Sequence, residues 1–374
     1  MTPGAQRVFR QSPNPASLLS GLPPGARVLV IRLRSIGDTI LLTPALRLLK
    51  EWRPDLRVSV VLEARFRQLL EGNPAVEEIL TPGEGAGWKK LRSRYEVIRK
   101  MRRHAFSVCL NLHGGPTSRQ LARWSGARWR VGFAHYRAPD LYHLLVPDAR
   151  TILQKPFLHT AEHQAAAFFY LGLPRKEIPR AQLFSGAGQA AWWDAKRQSL
   201  GIASGQPYAI IHPTALYRTK EWAPEKFAQI GAYLEKAAGL TPLYSCGPGE
   251  SGVLDALEKA YPAPIRRLEG ASLAQFAAAL ASARLFVGND SGPAHMAAAL
   301  GRPVVVIFGS SSSPIWGPWP RQNSNPAARV VQNPFACNPC PGDRCYQFAQ
   351  PECILSVTFD QVKEAVQSIL AQVS

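Results

Sequence analysis

The sequence predicts an α/β protein built from two doubly wound, parallel-sheet domains, and three observations carry that expectation. The chain has 374 residues, more than one hydrophobic core usually serves. Hydrophobic residues make up 46% of it and charged residues 19%, the balance of a globular body that buries real cores. From residue 27 onward, short β-branched runs alternate with helical stretches in the manner of βαβ units, and the same alternation begins afresh past residue 200.

Residues 1–26 are rich in Pro, Gly, Ser and Arg without an apolar stretch of the kind a secretory signal needs, so they read as a flexible leader. Arg27–Arg32 then predicts a strand, Thr43–Trp52 a helix, Arg57–Leu62 a strand, Ala64–Glu71 a helix and Glu77–Leu80 a strand. Thr43 reads as the N-cap of its helix, with Pro44 at the first helical position, where a missing N–H costs nothing. Ala45, Leu48, Leu49 and Trp52 recur at helical spacing and form its core stripe. Trp88–His104 holds Lys89, Lys90, Arg92, Arg94, Arg99, Lys100, Arg102 and Arg103 against a single carboxylate, Glu96, and predicts a strongly basic surface helix. Strand Phe106–Leu112 and a turn at His113-Gly114-Gly115 follow. Gly172, Pro174 and Pro179 close the first domain, residues 27–185, with the hinge near Ser185–Gly188.

The second domain, residues 186–374, predicts strand Tyr208–Ile211, helix Pro224–Ala238, strand Thr241–Ser245, helix Leu273–Ala281, strand Leu285–Val287, helix Pro293–Leu300 and strand Val304–Phe308. Phe359, Val362, Ala365, Val366 and Ile369 share one face of a terminal helix over Thr358–Gln372. Two such domains should face each other across a cleft.

A net charge of +18 draws polyanions: nucleic acid, anionic lipid head groups or phosphorylated saccharides; a merely solubilising role is the alternative. No apolar run comes close to the roughly 20 residues of a membrane helix, and the strongest short ones, Val28–Ile31 and Val304–Phe308, are strand-sized. Six cysteines in this length do not suggest a disulfide scaffold and agree with a reducing, cytoplasmic address.

Four loops at the carboxyl edges of predicted strands could carry chemistry. Leu33-Arg34-Ser35-Ile36-Gly37-Asp38 lies between the first strand and first helix, where open parallel sheets bind ligands. Gly37 allows a tight turn, and Asp38 serves either as a helix cap or as a general base on an attacking hydroxyl. In Gly288-Asn289-Asp290-Ser291-Gly292-Pro293-Ala294-His295 a strand ends and a small-residue helix begins, so its exposed N–H groups suit a diphosphate. Ser291 adds a hydroxyl and Gly292 allows close approach. Asp290 is awkward beside phosphate and reads as a cap or an acceptor from a sugar hydroxyl, while His295 either donates to phosphate or packs. His212-Pro213-Thr214, with Lys220-Glu221-Trp222 beyond it, offers a cation beside an aromatic for a phosphate and a flat base. Cys246-Gly247-Pro248-Gly249-Glu250 ends in a carboxylate that could take both hydroxyls of a ribose. Neither a Gly-x-Gly-x-x-Gly fingerprint nor a P-loop stands where it would need to, which removes the main support for a dehydrogenase or an NTPase.

Taken in order, Arg27-Val28-Leu29-Val30-Ile31-Arg32, Gly37-Asp38, Thr43-Pro44-Ala45-Leu46, Lys220-Glu221-Trp222 and Gly288–His295 resemble the bacterial heptosyltransferases that build the lipopolysaccharide inner core, glycosyltransferase family 9. The resemblance spans nearly all of the chain from Arg27. It implies a GT-B fold and an inverting, metal-independent transfer of heptose, or a related sugar, from an ADP-sugar, with no cofactor. It implies Asp38 as catalytic base, with Lys220, Glu250, Asp290, Ser291 and His295 around the donor; Thr214 and Gly292 join that set from their loops. Ser291 stands where a threonine is common, and Pro293 stiffens the helix start; both leave the donor sugar open. An acidic glycolipid acceptor at the inner-membrane surface would account for the basic charge, with the cations of Lys89–Arg103, Lys89 and Arg102 among them, and neighbouring arginines such as Arg34 and Arg65 facing it, and no nucleic acid as partner; a solvated charged helix is the alternative.

Cys337, Cys340, Cys345 and Cys353 follow C-x2-C-x4-C-x7-C and lack the second C-x2-C of a zinc ribbon, so reduced thiols are the default and a metal site the alternative. Cys109 and Cys246 read as core. Competing functions are a GT-B transferase or epimerase for another nucleotide sugar, a basic nucleic-acid-binding protein, and an inactive binding relative.

Overall fold

The computed structural model describes residues 13–83, 87–261, 263–321 and 327–372, apart from the side chains of Lys89 and Lys90. Strands β1 (Arg27–Ile31), β2 (Arg57–Val61), β3 (Glu78–Leu80), β4 (Val108–Asn111), β5 (Trp129–Phe133) and β6 (Leu144–Val146) form one sheet in the order β3-β2-β1-β4-β5-β6. Strands β7 (Tyr208–His212), β8 (Thr241–Ser245), β9 (Arg267–Leu268), β10 (Leu285–Asn289), β11 (Val304–Ile307) and β12 (Ala328–Val331) form the other, in the order β12-β11-β10-β7-β8-β9. All pairings are parallel, from Ile31 opposite Asn111 in the front sheet to Gly288 opposite His212 in the rear one. Helices cover both faces, so β7 and β10 are buried at every residue, which explains their near-continuous apolar sequences. The architecture is the predicted one: α/β, two doubly wound sheets.

In each sheet the chain order reverses once, between β1 and β4 in front and between β10 and β7 behind. Crevices for ligands open at the carboxyl ends of such strand pairs. The front and rear halves are held together. One apolar cluster runs from Leu18 and Val28 through Phe168 to Phe286 and Phe308. Gln68 accepts from the Ala274 N–H at 3.0 Å, Trp319 donates to the Pro179 carbonyl at 2.8 Å, and Arg321 meets the buried carboxylate of Glu162 at 2.6 Å.

Several expectations change in detail. The predicted flexible leader is docked where it is described: Leu18 and Leu19 are buried, and Leu19 N–H donates to Leu171 O at 3.0 Å. Residues 1–12 lie outside the described residues. The described part of the leader docks through the apolar Leu18-Leu19 pair, which packs although the surrounding composition is polar. Thr43 is not the N-cap: Leu42 is, and the Thr43 hydroxyl instead donates to Ile40 O at 2.7 Å and accepts from the Gln182 N–H at 2.9 Å. The predicted helix over 64–71 is the 3-10 turn Ala64–Leu69. Cys109 is core, whereas Cys246 is only half-buried at the end of β8.

Candidate functional site

The first crevice loop leads from β1 into the short helix Ile36–Ile40, which places Asp38 two residues into the helix at the front switch point. Its carboxylate pairs with the Arg32 guanidinium from the end of β1, while the other oxygen accepts from the backbone N–H and the hydroxyl of Ser35, each at 3.3 Å. Its backbone carbonyl accepts from the buried Gln164 at 3.1 Å. Arg32 also donates to Leu112 O beyond β4, so it ties the two switch-point strands to this carboxylate. Asp38 therefore caps the helix start, and its side chain remains 14% exposed.

The rear switch point ends β10 at Asn289 and begins helix Gly292–Ala299, with Ser291 as its N-cap residue. Asn289 clasps the neighbouring loops: its amide oxygen accepts from Trp222 N–H at 3.1 Å and its amide nitrogen donates to Pro213 O at 2.8 Å. Lys220 Nζ lies 2.8 Å from Asp290 Oδ2, which resolves why a carboxylate sits in a predicted phosphate loop. Ser291 Oγ and His295 Nδ1 are buried and have no hydrogen-bond partner within the protein. Two orphaned polar atoms beside the free N–H groups of a helix start point to a polar ligand, because leaving them unpaired costs about 1–3 kcal/mol each.

The two switch points meet face to face. A Cβ placed on Gly37 would lie 2.7 Å from Cδ2 of His295, and one on Gly292 would lie 2.6 Å from Cβ of Ile36. Both glycines are thus required for the approach of the two helix starts. The neighbour that Gly292 admits is Ile36 of the front half, where the sequence suggested a ligand. Burial pushes the His295 imidazole below its ordinary range, opposed by the carboxylates of Asp290 and Asp38 and assisted by Lys220. Asp38 also acts on His113, which burial first, then Arg32 and Arg34, hold at about 4.

His113 belongs to a cleft of about 430 Å³ on the front half, lined also by Arg34, Glu63, Arg65, Arg94 and Thr117. The structure therefore brings Arg34 and Arg65 together with Arg94 of the basic segment and adds His113, which the sequence reading placed only in a turn. Arg65 is paired with Glu63 at 2.6 Å. Arg102 is not among them: it lies at the last turn of helix Gly87–Arg103 against Gly126, about two turns beyond the mid-helix, cleft-lining Arg94. The Lys89 side chain lies outside the described residues.

Two further expectations are corrected. Trp222 is fully buried, with its indole N–H on Val357 O at 2.8 Å, so it anchors the loop and offers no face to a base. Thr214 is equally buried, its hydroxyl 3.0 Å from His212 Nε2, with His212 Nδ1 3.0 Å from Ser245 Oγ; it shapes its loop from within. Glu250 follows β8 and precedes helix Ser251–Ala260, with one oxygen accepting the Gly247 N–H of its own loop at 2.8 Å. Cys337, Cys340, Cys345 and Cys353 line a single small cavity of about 70 Å³, all as free thiols. Among the described residues, no group of three or more His, Cys, Asp or Glu side chains is arranged to hold a metal ion. No helix among them is long and apolar enough to cross a membrane.

Comparison with known proteins identifies the family and the fold. The model of the family described as glycosyltransferase family 9 (heptosyltransferase) matches residues 94–346. The chain is 25% identical to lipopolysaccharide heptosyltransferase 3 of Escherichia coli over 301 residues, 77% of this chain and 83% of that one. Among solved structures it superposes on a family 9 glycosyl transferase from Veillonella parvula with a TM-score of 0.83 at 20% identity, covering 94% of this chain and 99% of that one. It superposes on an E. coli heptosyltransferase solved with ADP-2-deoxy-2-fluoro heptose with a TM-score of 0.66 at 19% identity, covering 91% and 99%.

Proposed function

The chain belongs to glycosyltransferase family 9, the heptosyltransferases, and from that premise we propose that it moves heptose from ADP-heptose to the lipopolysaccharide inner core by an inverting, metal-independent displacement. Residues 27–185 bind the acceptor and residues 186–374 the nucleotide sugar. The acceptor hydroxyl oxygen attacks the anomeric carbon as the bond to the diphosphate oxygen breaks. The hydroxyl proton passes to Asp38, and ADP leaves with the electron pair. Entry opposite the leaving group inverts that carbon. Charge growing on the diphosphate is met by the N–H groups at the start of helix Gly292–Ala299, by the Ser291 hydroxyl and by Lys220.

The observation that carries this reading is that the helix start bearing Asp38 meets the helix start bearing the orphaned Ser291 Oγ and His295 Nδ1, through Gly37 against His295 and Gly292 against Ile36. The cleft with Arg34, Arg65 and Arg94 gives an acidic saccharide a place beside the base. The enzyme then works at the cytoplasmic face of the inner membrane, without a cofactor. The test is to offer the purified protein a panel of nucleotide sugars with a heptose-deficient core oligosaccharide and to weigh the products. Addition of one heptose from ADP-heptose is expected. Transfer only from another nucleotide sugar, or epimerisation of a nucleotide sugar without an acceptor, would overturn the assignment.

A further inference from the structure

We propose that the outward face of helix Gly87–Arg103 docks on an anionic lipid bilayer, with Trp88, Leu91 and Tyr95 entering the interface and the surrounding arginines holding the head groups. Trp88 is 80% exposed, Leu91 58% and Tyr95 64%, far more than large apolar side chains need to be on a helix that has a core to pack against. Their spacing of three and four residues puts them on one face. The opposite face is the packed one, with Val97 and Met101 buried. Arg92, Arg99 and Arg102 share the outward face with the three apolar side chains, and Glu96 is the helix's one acidic residue. An exposed apolar stripe within a dense field of cations is the composition of a helix that lies in the plane of an anionic membrane surface.

Charge and side-chain type together select the lipid surface. A nucleic acid would use the arginines and the two aromatic rings, but Leu91 offers a base no stacking face, whereas aliphatic and aromatic side chains together suit the boundary between head groups and acyl chains. The inner side of the same helix is a wall of the front cleft: Ser93 Oγ accepts from the Gly83 N–H at 2.6 Å, Arg94 lies 3.3 Å from Thr117 Oγ1, and Gly83, Arg94 and Thr117 all line the cleft. Docking the outward face therefore brings the cleft beside the head-group layer, which is where a lipid-borne saccharide would be presented. That last consequence rests on the acceptor reading above; the docking itself does not.

The test compares the full chain with a Trp88→Ser, Leu91→Ser, Tyr95→Ser variant. Both are sedimented with vesicles of phosphatidylcholine alone and with about 30% phosphatidylglycerol added. The wild type should bind the anionic vesicles and release with salt, and the variant should bind them roughly tenfold less. Trp88 should shift its emission to the blue on binding, read as the difference between the wild type and Trp88→Phe. Both proteins should transfer equally to a soluble, lipid-free acceptor, and the variant should lose activity on the same acceptor embedded in anionic vesicles. Equal vesicle binding by variant and wild type, no binding by the wild type, or retention on RNA without binding to vesicles would each overturn the proposal. Absence of transfer to the soluble acceptor by either protein would count against the transferase mechanism and leave the vesicle result to decide the docking.

Discussion

Replacing Gly292 with alanine tests whether the contact between the two helix starts sets the catalytic geometry. The new Cβ would stand 2.6 Å from Cβ of Ile36 and 2.9 Å from its Cδ1 and Cγ2. Carbon atoms in contact settle at about 3.5–4.0 Å, so the halves must separate by about 1 Å or the Ile36 backbone must move. Overpacking of this kind costs about 1–3 kcal/mol of stability. Because Ile36 and Asp38 share one short helix, the displacement carries the carboxylate with it, and an error of about 1 Å in a reacting group costs on the order of 100-fold in rate. Steady-state kcat/KM for sugar transfer and a thermal melt measure the two effects. Gly252→Ala is the control: its Cβ meets nothing within 4 Å, in a helix where alanine should add about 0.5–1 kcal/mol. Should Gly292→Ala turn over like the wild type, the contact between the two helix starts would have no part in positioning the base.

Two other perturbations follow from the same geometry. Lys220→Met strands the nearly buried carboxylate of Asp290 and should cost about 2 kcal/mol of stability together with most of the activity; adding Asp290→Asn should restore the melt but not the rate, and recovery of both would remove Lys220 from the donor site. Burial holds His159 and His212 at about 4 in the folded chain against 6.5 when exposed. The unfolded chain therefore takes up protons that the folded one refuses as pH falls from about 6.5 to about 4. Stability is full above that window and declines through it by up to about 3 kcal/mol per histidine. His159 accepts the Ala161 N–H on Nδ1 and faces Gly317 O with Nε2, so His159→Asn keeps a helix cap and removes the titration. Its acid unfolding curve should be shallower, and an unchanged curve would refute the assignment.

Much of this was legible along the chain because it is local. The alternation of β-branched runs and helical stripes located most strands and gave both doubly wound sheets, and the loops after β1 and β10 announced themselves as strand ends running into helices. The resemblance of those ordered loops supplied the family. What escaped is what long-range contact decides. Lys220 and Asp290 stand 70 residues apart and become a pair only through folding. Gly292 looked like room for phosphate, and only the assembled halves show Ile36 there. Trp222 looked like a platform because nothing local says that its indole reaches Val357. Arg102 and Arg94 carry the same charge on the same helix; what each packs against, Gly126 or the cleft, determines which one lines it. Leu18 and Leu19 were the signal that the leader docks, outweighed by the polar composition around them.

If the front carboxylate takes a proton from the acceptor while the rear half holds the nucleotide, Asp38→Asn separates the two roles in single-turnover transfer from ADP-heptose and calorimetric binding of ADP. ADP should bind the variant as tightly as the wild type, and transfer should fall by about 10²–10⁴-fold. Wild-type transfer by the variant, or loss of ADP binding in step with the loss of transfer, would contradict that assignment of roles.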